Sequence, residues 1–74
     1  MINVALIGVG YWGPNLLRNM VNNLDCHVKL VADTSSERRK YVEEHYPTVD
    51  VTDKSEQIFS DSEIDAVVIA TPVH

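Results

Sequence analysis

The chain has 74 residues, 45% of them hydrophobic and 23% charged, with eleven acidic residues against six basic ones and a net charge of −5. That composition excludes a disordered tail, and the acidic balance, with basic residues gathered only at Arg38, Arg39 and Lys40, excludes a nucleic-acid partner. No apolar run approaches the roughly 20 residues of a membrane span, so a membrane partner is excluded as well.

A chain of this length holds one domain or less and buries only about 60 to 65% of the surface its unfolded form exposes. The lone cysteine, Cys26, has no partner for an internal disulfide, and the N-terminus runs into a strand without a charged leader. Both features point to a soluble protein of the reducing cytoplasm.

In chain order, Val4 to Ile7 is a continuous apolar run ending in glycine, the pattern of a strand buried on both faces of a parallel sheet. Trp12, Leu16, Leu17, Met20, Val21 and Leu24 share one face of a helix from about Trp12 to Leu24, with Pro14 tolerated in its first turn. Val28 to Ala32 forms a second strand that ends at Asp33. Thr34, three residues before Glu37, makes a capping box for a second helix, which carries Tyr41, Val42, His45 and Tyr46 inward and stops at Pro47. Thr48 to Val51 reads as a short edge strand, and Ser55 to about Ser60 as a short helix with Ile58 and Phe59 turned in. Ala66 to Ala70 is the last strand, apolar throughout.

Strands alternating with helices imply a parallel sheet with right-handed crossovers. The expected fold is therefore α/β, a Rossmann-like doubly wound sheet with four strands in the order 3-2-1-4 and three helices. An apolar fourth strand at an open edge is something natural sheets avoid. Residues 1–74 thus read as a partial dinucleotide-binding domain, with the rest of that domain and a substrate domain lying outside it. Such a unit is expected to be marginally stable and prone to pair through its open edge.

The chemistry sits in the turn Gly8-Val9-Gly10-Tyr11-Trp12-Gly13, which follows a strand and opens a helix as a dinucleotide fingerprint requires. All three glycines of the chain occupy the glycine positions of this GxGxxG motif. Gly8 permits the tight turn, Gly10 lets the backbone approach a pyrophosphate, and Gly13 allows the helix to pack closely on the sheet. The N–H groups of Tyr11, Trp12 and Gly13 have no intrahelical acceptors and are free for phosphate oxygens. Asp33, twenty residues after Gly13 at the end of the second strand, is placed to accept hydrogen bonds from the adenosine ribose. Its carboxylate also repels a 2′-phosphate, which favours NAD over NADP, although Arg38 and Arg39 lie close enough in sequence to accommodate one.

The runs GVGYWGPN from Gly8 to Asn15, VADTSSERR at 31–39 and IDAVVIATPVH at 64–74 resemble the N-terminal part of the Gfo/Idh/MocA family across the whole chain. Within that family the chain is similar to NAD-dependent dehydrogenases of nucleotide-linked sugars. The resemblance implies a homo-oligomeric oxidoreductase that moves hydride between a sugar hydroxyl carbon and the nicotinamide. It implies a second, mixed α/β domain and a catalytic lysine in a Glu-Lys-Pro segment; no such segment occurs here, so the catalytic set of residues 1–74 is empty. By the same resemblance Thr71 and Pro72 border the nicotinamide side of the cofactor, with His74 nearby.

Plainer readings stand beside these. The glycines also fit a structural turn, Asp33 a turn acid, Trp12 a packing residue and His74 a loop residue. His27 and His45 carry no chemistry, and the acidic scatter from Asp50 to Asp65 reads as solvated surface. No cysteine and histidine cluster suggests a metal. Two other function classes use a similar turn and acid: a non-catalytic NAD-sensing regulatory domain, and a methyltransferase using S-adenosylmethionine, whose usual GxGxG spacing is absent. If the turn holds a diphosphate, Gly10→Ala puts a methyl group where the phosphate must approach and abolishes NAD binding in a calorimetric titration; unchanged affinity would contradict this role.

Overall fold

The computed structural model describes residues 1–9 and 13–70, with the backbone alone at 13 and 14. Its elements are β1 (Ile2–Ile7), α1 (Gly13–Asn22), β2 (Cys26–Ala32), α2 (Ser36–His45), β3 (Asp50–Thr52), α3 (Glu56–Phe59) and β4 (Ala66–Ile69). All neighbouring strands pair in parallel, in the order β3-β2-β1-β4. This is the doubly wound arrangement expected from the alternation of strand and helix patterns.

Each face of the sheet has its own core. On one face Leu6, Val28 and Val31 pack with Leu17 of α1, Val42 of α2 and Val49, flanked by half-buried Leu16, Met20, Val21, Tyr41 and Tyr46. On the other, Ala5, Leu30 and Ala32 pack with Ile58 of α3, flanked by Ile7, Ile64 and Val67. Burying a side chain the size of Leu6, Leu17 or Ile58 contributes about 1.5 to 3 kcal/mol. The alternation of Ala5 and Leu6 between the two cores follows from the two-residue period of a strand.

β2 breaks that period. Val4 is in register with Val28 and Ala5 with Leu30, so Lys29 is an extra residue in the ladder. Such a bulge shifts the side-chain alternation by one position. Val28 therefore shares a face with Val31, whereas Leu30 and Ala32 share the opposite one. The bulge also explains a lysine between the apolar Val28 and Leu30. The Lys29 ammonium reaches out to Asp61 at 2.6 Å and Glu63 at 2.7 Å in the connection between α3 and β4. A second set of contacts fixes that connection to the start of β1: Asn3 N–H donates to Asp65 Oδ2 at 2.8 Å, and its side chain donates to the Glu63 carbonyl at 3.0 Å.

Several local expectations are corrected. α1 ends at Asn22, and Leu24 lies beyond it, 89% exposed, because Asp25 N–H turns back onto Asn23 Oδ1 and starts the turn into β2. β2 begins two residues earlier than its apolar run, at Cys26, and β3 lies at Asp50–Thr52 with Val49 packed inward just before it. The cap of α2 is Ser35, whose hydroxyl accepts from Arg38 N–H at 3.4 Å; the capping box on Thr34 does not form. His45 is exposed, with Nδ1 2.9 Å from the Tyr41 carbonyl, since only Val42 of that helix is fully buried. Phe59 is 68% exposed because α3 has a single turn and buries Ile58 alone. The expected start of the first helix at Trp12 lies outside the described residues.

The outer strand β4 is half-covered, with Ile69 65% exposed. No helix among the described residues is long and apolar enough to cross a membrane.

The Lys29 ion pairs set a pH dependence. Hydrogen bonds to Asp61 and Glu63 raise the Lys29 pKa above its ordinary 10.5, and the ammonium holds Asp61 below its ordinary 3.8. The stability from Asp61 is therefore present above about pH 3.8 and lost as acid protonates it, and that from Lys29 is present below about pH 10.5 and lost in stronger base. Lys29→Met should lower the urea midpoint of unfolding across the neutral range, with the difference from the parent shrinking in acid and in added salt. A difference independent of both pH and salt would show that the pairs contribute no electrostatic stability.

Candidate functional site

In a parallel sheet every strand ends at the same edge, so the segments that follow β1, β2 and β4 converge. Three backbone hydrogen bonds carry the ladder one step past the strands. Gly8 N–H donates to the Ala32 carbonyl at 2.8 Å, Asp33 N–H to the Thr52 carbonyl at 3.0 Å, and Ala70 N–H to the Ile7 carbonyl at 2.8 Å. Gly8, Asp33 and Ala70 are thereby held along one edge. β1 stands between β2 and β4 where the strand order reverses, the place at which open α/β sheets take ligands.

Gly8 has φ of 83°, the left-handed region where a Cβ is unfavourable. That reversal takes the chain out of β1 toward Gly13, the first residue of α1. The next residue, Val9, is fully buried, and its N–H donates to Asp33 Oδ2 at 2.7 Å. The other carboxylate oxygen, Oδ1, accepts from Ser35 N–H at 2.9 Å. The Asp33 carbonyl accepts from Arg39 Nη1 at 2.8 Å. An ionised carboxylate offers about four acceptor sites. The two protein N–H groups leave acceptor capacity on the half-buried Asp33 for the hydroxyls of a ribose.

Of the residues expected from sequence, the structure thus brings together Gly8 and Asp33, and Gly13 is the first residue of α1. Gly10, Tyr11, Trp12, Thr71, Pro72 and His74 lie outside the described residues. Two participants escape the sequence reading. Val9 and Ser35 act through their backbone N–H groups, which no residue type announces, although an Asp followed two residues later by Ser is the pattern of a side-chain-to-backbone turn. Arg39, expected from sequence as a group that could accommodate a 2′-phosphate, has its guanidinium engaged with the Asp33 carbonyl. No group of three or more potential metal ligands occurs among the described residues.

Comparison with known proteins accords with this arrangement. The model of the GFO_IDH_MocA oxidoreductase family, NAD-binding Rossmann fold, matches residues 2–74. The chain belongs to that family. NAD is the cofactor of this fold, and the carboxylate at the end of β2 and the left-handed glycine after β1 fit it. No curated protein matches the GFO_IDH_MocA chain by sequence.

Among solved structures, a Sinorhizobium meliloti 1021 protein provisionally named a myo-inositol dehydrogenase is 28% identical, with a TM-score of 0.87 over 97% of this chain and 21% of that one. A myo-inositol dehydrogenase from Corynebacterium glutamicum ATCC 13032 is 25% identical, with a TM-score of 0.81 over 97% of this chain and 21% of that one. The scyllo-inositol dehydrogenase from Lactobacillus casei, solved with NAD(H) and scyllo-inositol, shares the fold at 16% identity and a TM-score of 0.85, over 97% of this chain and 22% of that one. The GFO_IDH_MocA chain therefore spans about a fifth of the length of the solved proteins it matches.

The left-handed turn gives a direct test. Gly8→Ala places a Cβ at φ of 83° and should cost about 1 to 2 kcal/mol of stability, measured by urea denaturation. A change below a few tenths of a kcal/mol would mean that the turn relaxes to another conformation at no cost.

Proposed function

We propose that this chain forms the adenosine and diphosphate half of the NAD site in a dehydrogenase of sugar or nucleotide-sugar hydroxyl groups. The observation that carries the reading is the Asp33 carboxylate, fixed against the turn after β1 by Val9 N–H at 2.7 Å while keeping acceptor capacity for ribose. Gly8, Gly10, Tyr11, Trp12 and Gly13 surround the diphosphate in this reading, and Asp33 takes the ribose hydroxyls. Thr71, Pro72 and His74, which follow Ala70 in sequence, border the nicotinamide in this reading. Bound NAD supplies the hydride acceptor: the hydroxyl-bearing carbon gives up hydride, its hydroxyl gives up a proton to a base, and a carbonyl results. We assign that base to no residue of 1–74, so these residues alone bind nucleotide and do not turn over.

The names of the similar solved proteins, which act on inositols, support a polyhydroxylated ring as the substrate class. The short share of those proteins that this chain spans, together with the half-covered β4, supports a whole protein in which further strands extend the sheet and a second domain meets the substrate. We place that protein in the cytoplasm as a homo-oligomer.

The choice between NAD and NADP follows from charge. A 2′-phosphate on the adenosine ribose would meet the Asp33 carboxylate, while Arg39, which could have neutralised it, is engaged with the Asp33 carbonyl. Losing one charge-assisted hydrogen bond and gaining a repulsion should weaken NADP relative to NAD by about ten- to a hundredfold. Calorimetric titration of the two nucleotides measures this, and tighter binding of NADP would overturn the assignment.

A further inference from the structure

Gly8 N–H is the last donor of the β1 ladder, paired with the Ala32 carbonyl. The next donor, Val9 N–H, belongs to a residue with no exposed surface, and a buried backbone donor without an acceptor is costly. Among the described residues its only acceptor is Asp33 Oδ2, at a length typical of a charge-assisted bond. Asp33 itself is held at every polar group. Its N–H is bound to the Thr52 carbonyl, its carbonyl receives Arg39 Nη1, and its second carboxylate oxygen receives Ser35 N–H. A side chain fixed in this way is an anchor for whatever it bonds, and what it bonds is the first residue of the turn beyond the glycine hinge.

We propose that Asp33 is a positioning residue for the phosphate-binding turn, in addition to being a ligand of the ribose. Its carboxylate fixes the amide of Val9 before any nucleotide arrives, and through it the path of the backbone that must present N–H groups to the diphosphate. Two recognition events that look separate, grip on the sugar and grip on the phosphates, are thus joined at one side chain. The ligand side of this inference rests on the proposed NAD site; the geometry of the turn does not. Preorganisation of this kind matters because donors displaced from an anion lose their contribution steeply with distance.

The inference separates from simple ribose binding in two measurements on the parent protein, Asp33→Ala and the isosteric Asp33→Asn. The first needs no nucleotide. Amide hydrogen exchange at Val9 should quicken about tenfold or more in Asp33→Ala, with an intermediate effect in Asp33→Asn, whose uncharged oxygen can still accept. Exchange at Leu6 and Val31 should stay at the parental rate in both, since a loss of overall stability would quicken all three together. The second uses NAD lacking both hydroxyls of its adenosine ribose. This analogue cannot meet Asp33 through the sugar, yet its affinity should fall about five- to tenfold in Asp33→Ala.

Equal Val9 exchange in the parent and Asp33→Ala, or equal affinity of the analogue for both, would overturn the inference. Should Asp33→Ala fail to fold, Asp33→Asn carries both comparisons. Failure of the parent protein to bind NAD would count against the proposed function alone, because the exchange at Val9 still decides the role of Asp33 in the turn.

Discussion

The hydrogen bond from Val9 N–H to the Asp33 carboxylate joins segments 24 residues apart and is the contact on which the site depends. A glycine in the left-handed region can point the chain in many directions. What selects one direction here is an acceptor of fixed position at the end of the neighbouring strand. That acceptor is itself fixed by the sheet on one side, through Thr52, and by the start of α2 on the other, through Ser35 and Arg39. The chain therefore builds this corner from two side chains, Asp33 and Arg39, and the backbone groups of Val9, Ser35, Thr52 and Asp33 itself.

This corner exists because a parallel sheet brings the ends of its strands to one edge, and the sheet exists because both its faces are covered. α1 and α2 cover one face and α3 the other. The change of face comes between β3 and β4, and β4 lies on the far side of β1. Coverage is uneven. Two ten-residue helices bury a seven-residue cluster on one side, whereas a single turn of helix protects four residues on the other. The exposed Phe59 and Ile69 reflect that imbalance.

The architecture was legible because its signals are redundant. Apolar runs at Val4 to Ile7 and Ala66 to Ala70, a helical stripe through Leu16, Leu17, Met20 and Val21, and three glycines in one turn all require the same strand order. Asp33 was legible from its distance to the turn. The details that were not legible depend on tertiary context. Thr34 and Ser35 both precede a helix and both can cap it; the capture of Ser35 N–H by Asp33 Oδ1 decides between them. Leu24 follows the apolar pattern of α1 but lies beyond its end, and Phe59 is the last residue of the single-turn α3, which buries Ile58 alone, so periodicity placed both in a core that does not reach them. Lys29 lies within the expected second strand, and only pairing with β1 reveals it as an inserted residue.

That insertion divides β2 into two reading frames. Upstream of Lys29 an even-numbered residue, Val28, belongs to the helix pair, and downstream the even-numbered Leu30 and Ala32 belong to the opposite layer. Without the bulge, Val28 and Leu30, two residues apart, would fall on a common side and leave one of the two layers with a hole. Its odd residue works as a phase-setting joint between two independent packings.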